Sequence, residues 1–467
     1  MLKKYIGDKA FYKYVLAIAI PIMLQNGITN FVNMLDNIMV GRVGTEAMTG
    51  VSVTNQLIFV FNLCLFGAVS GVGIFGAQYY GKGDNEGLRN SLRFKLILCL
   101  FITVICIGIF LVFGDNLITS FLEGEAEIQT VDPVISFNNA KTYLLIMMLG
   151  FIPFALTQSY ASTLRETGET LLPMKAGVVA VLVNLCFNYL LIFGVKPLGI
   201  PALGAAGAAI ATVLSRYVEM VIVILWTHTH KEKNPYIVGL FKNFKMPLSL
   251  AFDMLKKALP LTLNETLWAS GVAMLNQCYS TKGVDVVAAN NINQTFWNLF
   301  AVIFLSMGNV IGIIIGNMLG AGRMKEVMDY DRKLIVFSLF MSVVMCIIYA
   351  SLSPVIPLLY NTSDNVRQIA SGLIIIGALM MPFDSLAHSS YFTLRSGGKS
   401  MITFVFDCGF MWFVSVPIAF ILSRYTDISA VYLYASVQSV YLLKGFIGLY
   451  LVKRGNWMQN IVGGSAD

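Results

Sequence analysis

Twelve stretches of low charge and high hydropathy recur along this 467-residue chain, and they leave little room for any fold outside a membrane. About 20 apolar residues cross the hydrocarbon core as a helix, and only a helix or a closed barrel satisfies its own backbone hydrogen bonds there. The stretches lie at 14–40, 48–76, 96–113, 143–164, 176–195 and 203–226, then at 258–281, 286–318, 334–357, 370–394, 401–423 and 430–452. Charged residues make up only 12% of the chain, about half the share of a soluble domain, and the mean hydropathy is +0.73. The fold predicted is an all-α polytopic membrane protein with twelve transmembrane helices.

Lys and Arg stay preferentially on the cytoplasmic side. With the N-terminus inside, 24 of the 32 basic residues fall in cytoplasmic segments, and only Arg42, Lys141, Lys196, Lys282, Arg367 and Arg424 fall in outer loops. Arg216 and Lys444 lie within spans. Both termini are therefore predicted to be cytoplasmic. The net charge of +7 follows from this bias and from attraction to anionic lipid, so no nucleic-acid partner is expected. The opening MLKKYIGDKAFYKYVLAIAI has the basic residues and apolar run of a secretory signal. Its apolar character continues to Val40 without a small-residue cleavage site, which reads as a retained first span. The seven cysteines all lie within or beside apolar segments and form no CxxC pair, the pattern of small buried hydrophobes and not of disulfides or metal ligands.

The chain repeats itself. AQYYGKGD (77–84) and GNMLGAGR (316–323) align at an offset of 239 through Gly81 with Gly320 and Gly83 with Gly322, and the same offset pairs Pro21 with Pro260 and Arg93 with Arg332. TLRETGET (163–170) aligns with TLRSGGKS (393–400) at an offset of 230. The difference falls in a longer acidic outer loop, 114–142, holding Asp115, Glu123, Glu125, Glu127 and Asp132. Six spans per half is an even number, so both halves enter the membrane in one orientation, as a parallel repeat of two pseudo-symmetric lobes. The predicted division is an N-lobe at 1–227, a cytoplasmic linker at 228–257 and a C-lobe at 258–467. The repeated motifs read as tight turns at the inner span ends, with Gly supplying positive φ and with Arg165 and Arg395 anchoring to lipid phosphate or helix C-termini. GGKS is not a phosphate loop, because Thr393 stands where a Walker motif needs Gly.

Five acids lie inside spans: Asp36, Glu219, Glu265, Asp384 and Asp407. Each costs about 2.5–3.5 kcal/mol near mid-bilayer unless it has a partner, a wet cavity or a function. Glu219 has Arg216 three residues earlier on the same helical face, the spacing of an intrahelical ion pair. Asp407, near the inner end of its span, reads equally as structural or functional. Asp36, Glu265 and Asp384 have no partner on their own helices, so each is a candidate to load and release a proton or to ligate Na+ through oxygen. Asn184 and Asn188 share one face of span 5, while Gly204, Ala208 and Thr212 form a small-residue stripe suited to close packing. His388 follows Asp384 by four residues, as a second proton carrier or a packing residue. Pro21 and Pro260 each remove a backbone hydrogen bond inside a span, where a helix bends.

In order, NMLDNIMVGRVG, AQYYGKGD, TLRETGET, the NLxxN of span 5, LNETLW and MPFDSLAHSSYFTLRSGG make nearly the whole chain resemble the multidrug and toxic compound extrusion (MATE) family. The resemblance implies a cofactor-free antiporter in the cell inner membrane, monomeric, exporting small cationic amphipathic compounds in exchange for Na+ or H+. It implies that Asp36 belongs to an N-lobe cation site of the DinF-type branch, with Asn184 and Thr212 matching two further groups. At the fourth position that branch has an aspartate where this chain has Asn188. Glu265 and Asp384 match the C-lobe acids of the NorM-type branch, and Pro21 matches the proline at which span 1 bends. Asp36, Glu265, Asp384, His388 and Trp268 are the substrate-cavity candidates. A lipid-linked oligosaccharide flippase of the same superfamily is the alternative, but a pyrophosphate calls for several basic residues, and the candidate cavity is acidic. An integral-membrane enzyme is disfavoured because neither HExxH nor a nucleophile elbow occurs.

Overall fold

The computed structural model describes residues 5–126, 132–195, 199, 201–242 and 246–463. Glu127 and Lys196, assigned above to outer loops, lie outside the described residues. Among the described residues every extended element is a helix. In chain order these are α1 (Lys9–Gly41), α2 (Thr45–Lys82), α3 (Asn85–Ala126), α4 (Pro133–Met148), α5 (Phe151–Glu166), α6 (Leu171–Ile192) and α7 (Gly204–Thr229). There follow α8 (Leu248–Ser280), α9 (Val284–Gly320), α10 (Met324–Ser351), α11 (Asp364–Ser396), α12 (Ser400–Phe410), α13 (Val416–Tyr425), α14 (Ala430–Gln438) and α15 (Val440–Lys453).

Three of the predicted spans are broken rods. Helices α4 and α5 meet at a 49° bend at Leu149 and Gly150. A π-helical turn, Met411–Ser415, joins α12 to α13, and Ser439 alone separates α14 from α15. With these joined, the helices make twelve rods at the twelve predicted places. Ten are long and apolar enough to cross a membrane as they stand, and α4 with α5 makes an eleventh. The twelfth, α8, has the length, but Asn264 and Glu265 at its middle lower its apolar character.

Contacts divide the chain into two compact units. The first comprises Leu24–Gly73 and Asn85–Met254; the second comprises the described residues of Met1–Met23, Ile74–Asp84 and Leu255–Asp467. The core of the first unit sets Phe61 of α2 against Phe151 of α5, rings stacked 4.2 Å apart. Helices α6 and α7 approach until a Cβ on Gly207, beside the predicted small-residue stripe, would lie 2.5 Å from the Leu191 carbonyl oxygen. In the second unit Phe11, Val15, Ile18 and Ile22 of α1 bury against Leu261 of α8 and Ile311 and Ile315 of α9.

The repeated glycine motifs do two different jobs. Gly83 and Gly322 adopt positive φ, +77° and +72°, and turn the chain after α2 and α9 as predicted. Gly81 and Gly320 are still helical, and their role is contact: a Cβ on Gly81 would overlap the Asn317 carbonyl, and one on Gly320 would overlap the Gln78 carbonyl. Gln78 and Asn317 are themselves repeat equivalents, so the two motifs pack on each other reciprocally.

The basic residues after span 2 lie on a helix and not in a loop. Helix α3 begins at Asn85, well before the apolar run, and carries Arg89, Arg93 and Lys95 into packed surroundings. Arg93 donates to the carbonyls of Leu240 (2.8 Å) and Gly239 (2.7 Å). Lys95 is 0% exposed, and its Nζ lies 2.5 and 2.6 Å from the two carboxylate oxygens of Glu166 and 3.0 Å from the Thr163 hydroxyl. Ser162 donates a further hydrogen bond to Glu166, and Gly73 leaves the room that this carboxylate occupies. Arg165 and Arg395, expected at lipid phosphate or helix C-termini, both turn inward. Arg165 donates to Gln25 Oε1 at 3.4 Å, and Arg395 is buried over the Phe392 ring, 4.9 Å from its centroid, because both side chains point into their units. In the second unit Thr393, the repeat equivalent of Thr163, donates to buried Asp331 at 2.5 Å.

Removing one member of a buried pair strands the other charge. Lys95→Met is therefore expected to lower stability by roughly 3–5 kcal/mol. The double variant Lys95→Met/Glu166→Leu is expected to recover most of that loss, with thermal unfolding of detergent-solubilised protein as the measurement.

Candidate functional site

The helical period sets Asn184 and Asn188 of α6 on one face, and α1 and α7 bring Asp36 and Thr212 to it. The four side chains form one hydrogen-bonded row. Asn188 Nδ2 donates to Asp36 Oδ1 at 2.6 Å and to Asn184 Oδ1 at 3.0 Å. Asn184 Nδ2 donates to Thr212 Oγ1 at 3.2 Å, and the Thr212 hydroxyl donates to the Ala208 carbonyl at 3.0 Å. Asn188 is 0% exposed, yet its Oδ1 has no hydrogen-bond partner. A buried amide oxygen without a donor is costly unless something else meets it. A carboxylate with amide and hydroxyl oxygens is also the donor set of a hard cation. All four residues that the sequence nominated are thus brought together in the first unit.

Thr212 also lines a small open cleft, walled by Phe61, Asn62, Phe151, Phe154 and Arg216 among others. Arg216 lies over the Phe154 ring, 4.6 Å from its centroid, and pairs with Glu219 at 3.5 Å, the intrahelical pair predicted from their spacing.

In the second unit the acids gather around groups that sequence reasoning did not connect. Asp407 on α12 is held by Lys444 of α15 at Oδ1 and by Asn264 Nδ2 of α8 at Oδ2, 2.9 Å away. The same Asn264 amide stands 3.4 Å from the Tyr391 hydroxyl. Glu265 follows Asn264 directly on α8, with Tyr391, Arg395 and Asp407 as its polar and charged neighbours. Asp384 feels Lys444 and Asp407. Asp407 is therefore an ion-paired residue, and Lys444 is its partner. The available signal was that Lys444 is one of only two basic residues assigned inside spans. Its partner lies 37 positions away on another helix, so the pairing itself was not readable.

His388 Nε2 donates to the Leu305 carbonyl at 3.1 Å and packs on Phe392 with ring centroids 4.9 Å apart, the arrangement of a packing histidine. Trp268 is half-buried, one turn beyond Glu265 on α8. Pro21 and Pro260 lie inside α1 and α8, which continue through them.

The MatE family model matches residues 21–190 and 260–421, and its two blocks begin at Pro21 and Pro260, the pair that the internal offset aligns. The chain is 23% identical to the probable multidrug resistance protein NorM of Thermotoga maritima, across 96% of this chain and 94% of the relative. It is 26% identical to the multidrug resistance protein MdtK of Yersinia pestis, across 98% and 97%. Among solved structures it is similar in fold to an outward-facing multidrug resistance MATE family transporter of the MOP superfamily, with a TM-score of 0.85 and 18% identity over 98% of each chain. A MOP superfamily transporter from Pyrococcus furiosus matches with a TM-score of 0.84, 18% identity and the same coverage.

Asn188→Asp would place a second carboxylate where the orphaned amide oxygen stands. The variant is expected to bind Na+ roughly tenfold or more tightly than the native protein, read as a larger rise in thermal stability with added NaCl than with choline chloride.

Proposed function

The chain belongs to the MatE family of multi-pass membrane transporters, and we propose that it exports small cationic amphipathic compounds in exchange for inward Na+ or H+ by alternating access. Its work is multidrug efflux and not catalysis, and transport of this kind needs no cofactor. In this proposal the protein is a monomer in the cell inner membrane with both termini cytoplasmic. Lobes 1–227 and 258–467, joined by the linker 228–257, carry out the alternation.

The observation that carries the coupling reading is the row Asp36–Asn188–Asn184–Thr212, with its unpartnered buried oxygen. Only Asp36 in that row changes charge on binding a proton, and the amide oxygens of Asn184 and Asn188 with the Thr212 hydroxyl are the row's other oxygens for a cation. Filling the site neutralises Asp36, and an ion shifts a conformational equilibrium by as much as its affinity differs between the two states. A cationic substrate and the coupling ion then exclude one another, by direct competition or through that equilibrium, and the ion gradient drives export. Glu265 and Asp384 serve the same coupling in the C-lobe, beside Asp407 and Lys444. Trp268 is a further substrate-cavity candidate, His388 serves as packing, and Pro21 and Pro260 give α1 and α8 their places to bend. The flippase alternative would draw on Arg216, the cation that lines the cleft. Glu219 offsets that charge, and Asp407 engages Lys444, which leaves little for a pyrophosphate.

The test is efflux of a fluorescent cationic dye from proteoliposomes under separately imposed Na+ and H+ gradients. At least one gradient is expected to drive export, and Asp36→Asn is expected to slow it by roughly tenfold or more. Glu265→Gln and Asp384→Asn report on the C-lobe. Export at the native rate by all three variants would overturn the coupling assignment.

A further inference from the structure

We propose that Gln78 is a gating residue, and that residues 456–462 form a latch across it which must release before the cytoplasmic side of the transporter opens. The gating role rests on the transport reading above, whereas the latch itself stands on contacts within the second unit.

Helix α15 ends at Lys453, and the chain then turns back at Gly455 instead of running into solvent. Trp457, close to the end of the chain, is only 1% exposed, and its indole N–H donates to the Val452 carbonyl at 2.9 Å. Its own carbonyl fills the space that a Cβ on Gly397 would take, so the RSGG motif after α11 is small in order to admit this segment.

Gln78, on the last turns of α2 and 0% exposed, is bonded on both ends of its amide. Nε2 donates to the carbonyls of Ser396 at 3.0 Å and Gln459 at 3.1 Å, and Oε1 accepts from the Ile461 N–H at 2.8 Å. One turn on, Lys82 Nζ donates to the Val462 carbonyl at 2.8 Å. One side chain of α2 is thus bonded both to the end of α11 and to the returning chain. Beneath it lies the crossing of Gly81 with Asn317 and of Gly320 with Gln78, where α2 and α9 touch backbone to backbone.

Two features give this the character of a latch. The segment reaches both sides of the crossing, since Asn460 Nδ2 also stands 3.5 Å from the Gly320 carbonyl at the end of α9. The strapped stretch, Ile74–Asp84, groups with the second unit, whereas α2 before it, Thr45–Gly73, groups with the first. Separating α2 from α9 must therefore break the bonds of Gln78 or carry the segment along with it. Neutral hydrogen bonds are individually modest in net strength, so such a strap can hold and still yield.

The experiment joins Lys82→Cys to Val462→Cys in the full-length protein with a reducible bis-thiosulfonate cross-linker, confirms the link by mass spectrometry and measures cationic dye efflux from proteoliposomes. Cross-linking is expected to slow efflux by roughly tenfold or more, with recovery on reduction, while the single variants do not respond. Native efflux by the cross-linked protein would overturn the gating role. If the uncross-linked protein moves no dye, it is the transport reading that fails. Hydrogen exchange addresses the latch without transport: in Gln78→Leu, residues 456–462 are expected to exchange roughly tenfold or more faster while α9 stays protected. Unchanged exchange would remove Gln78 as the anchor.

Discussion

A bilayer core supplies no water to a buried polar group, and this constraint organises nearly everything polar in these helices. Lys95 meets Glu166, Ser162 and Thr163; Asp407 meets Lys444 and Asn264; Arg216 meets Glu219. The first two tie helices of one unit to one another, and breaking any of the three leaves a charge with no partner. Against that background an unmet atom is informative. The buried Oδ1 of Asn188, beside Asp36, is such an atom, and it lies where an exchanged ion is expected.

The two halves share a scaffold and differ in what they place on it. Thr163 and Thr393 are repeat equivalents, and each bonds a buried ionisable group on a neighbouring helix: Lys95 in one case, Asp331 in the other. Leu275 stands at the repeat position of Asp36, Leu334 at that of Lys95 and Ser396 at that of Glu166. Duplication preserved the backbone contacts, most visibly the reciprocal glycine crossing, while the charges diverged. A transporter needs both properties: symmetric packing gives two arrangements of similar energy, and asymmetric chemistry lets a ligand choose between them.

Some features were legible from the sequence because their cause is local. Spans could be placed from hydropathy alone, since burial in lipid is a property of each segment. The turns at Gly83 and Gly322 followed from the φ values that glycine permits. The Arg216–Glu219 pair and the shared face of Asn184 and Asn188 followed from the helical period. Breaks within rods were not legible. The bend at Leu149 and Gly150 and the π-helical turn at Met411–Ser415 lie inside apolar runs that hydropathy carries through as single spans. Nor was the role of Gly81 and Gly320, which looked like turn residues and proved to be contact residues.

By itself, then, the sequence determined how many rods there are and where the apolar stretch of each lies, that they come as two related halves, and which polar groups require an explanation. Only the tertiary structure decided which of those groups satisfy one another. Lys444 finds Asp407 across 37 residues, Gln78 finds Ile461 across 383, and Asn188 finds Asp36 across 152. Such pairings depend on which helix faces come into contact. Hydropathy and helical period act within one segment and say nothing about its neighbours, whereas a buried hydrogen bond depends on the approach of two segments to within about 3 Å.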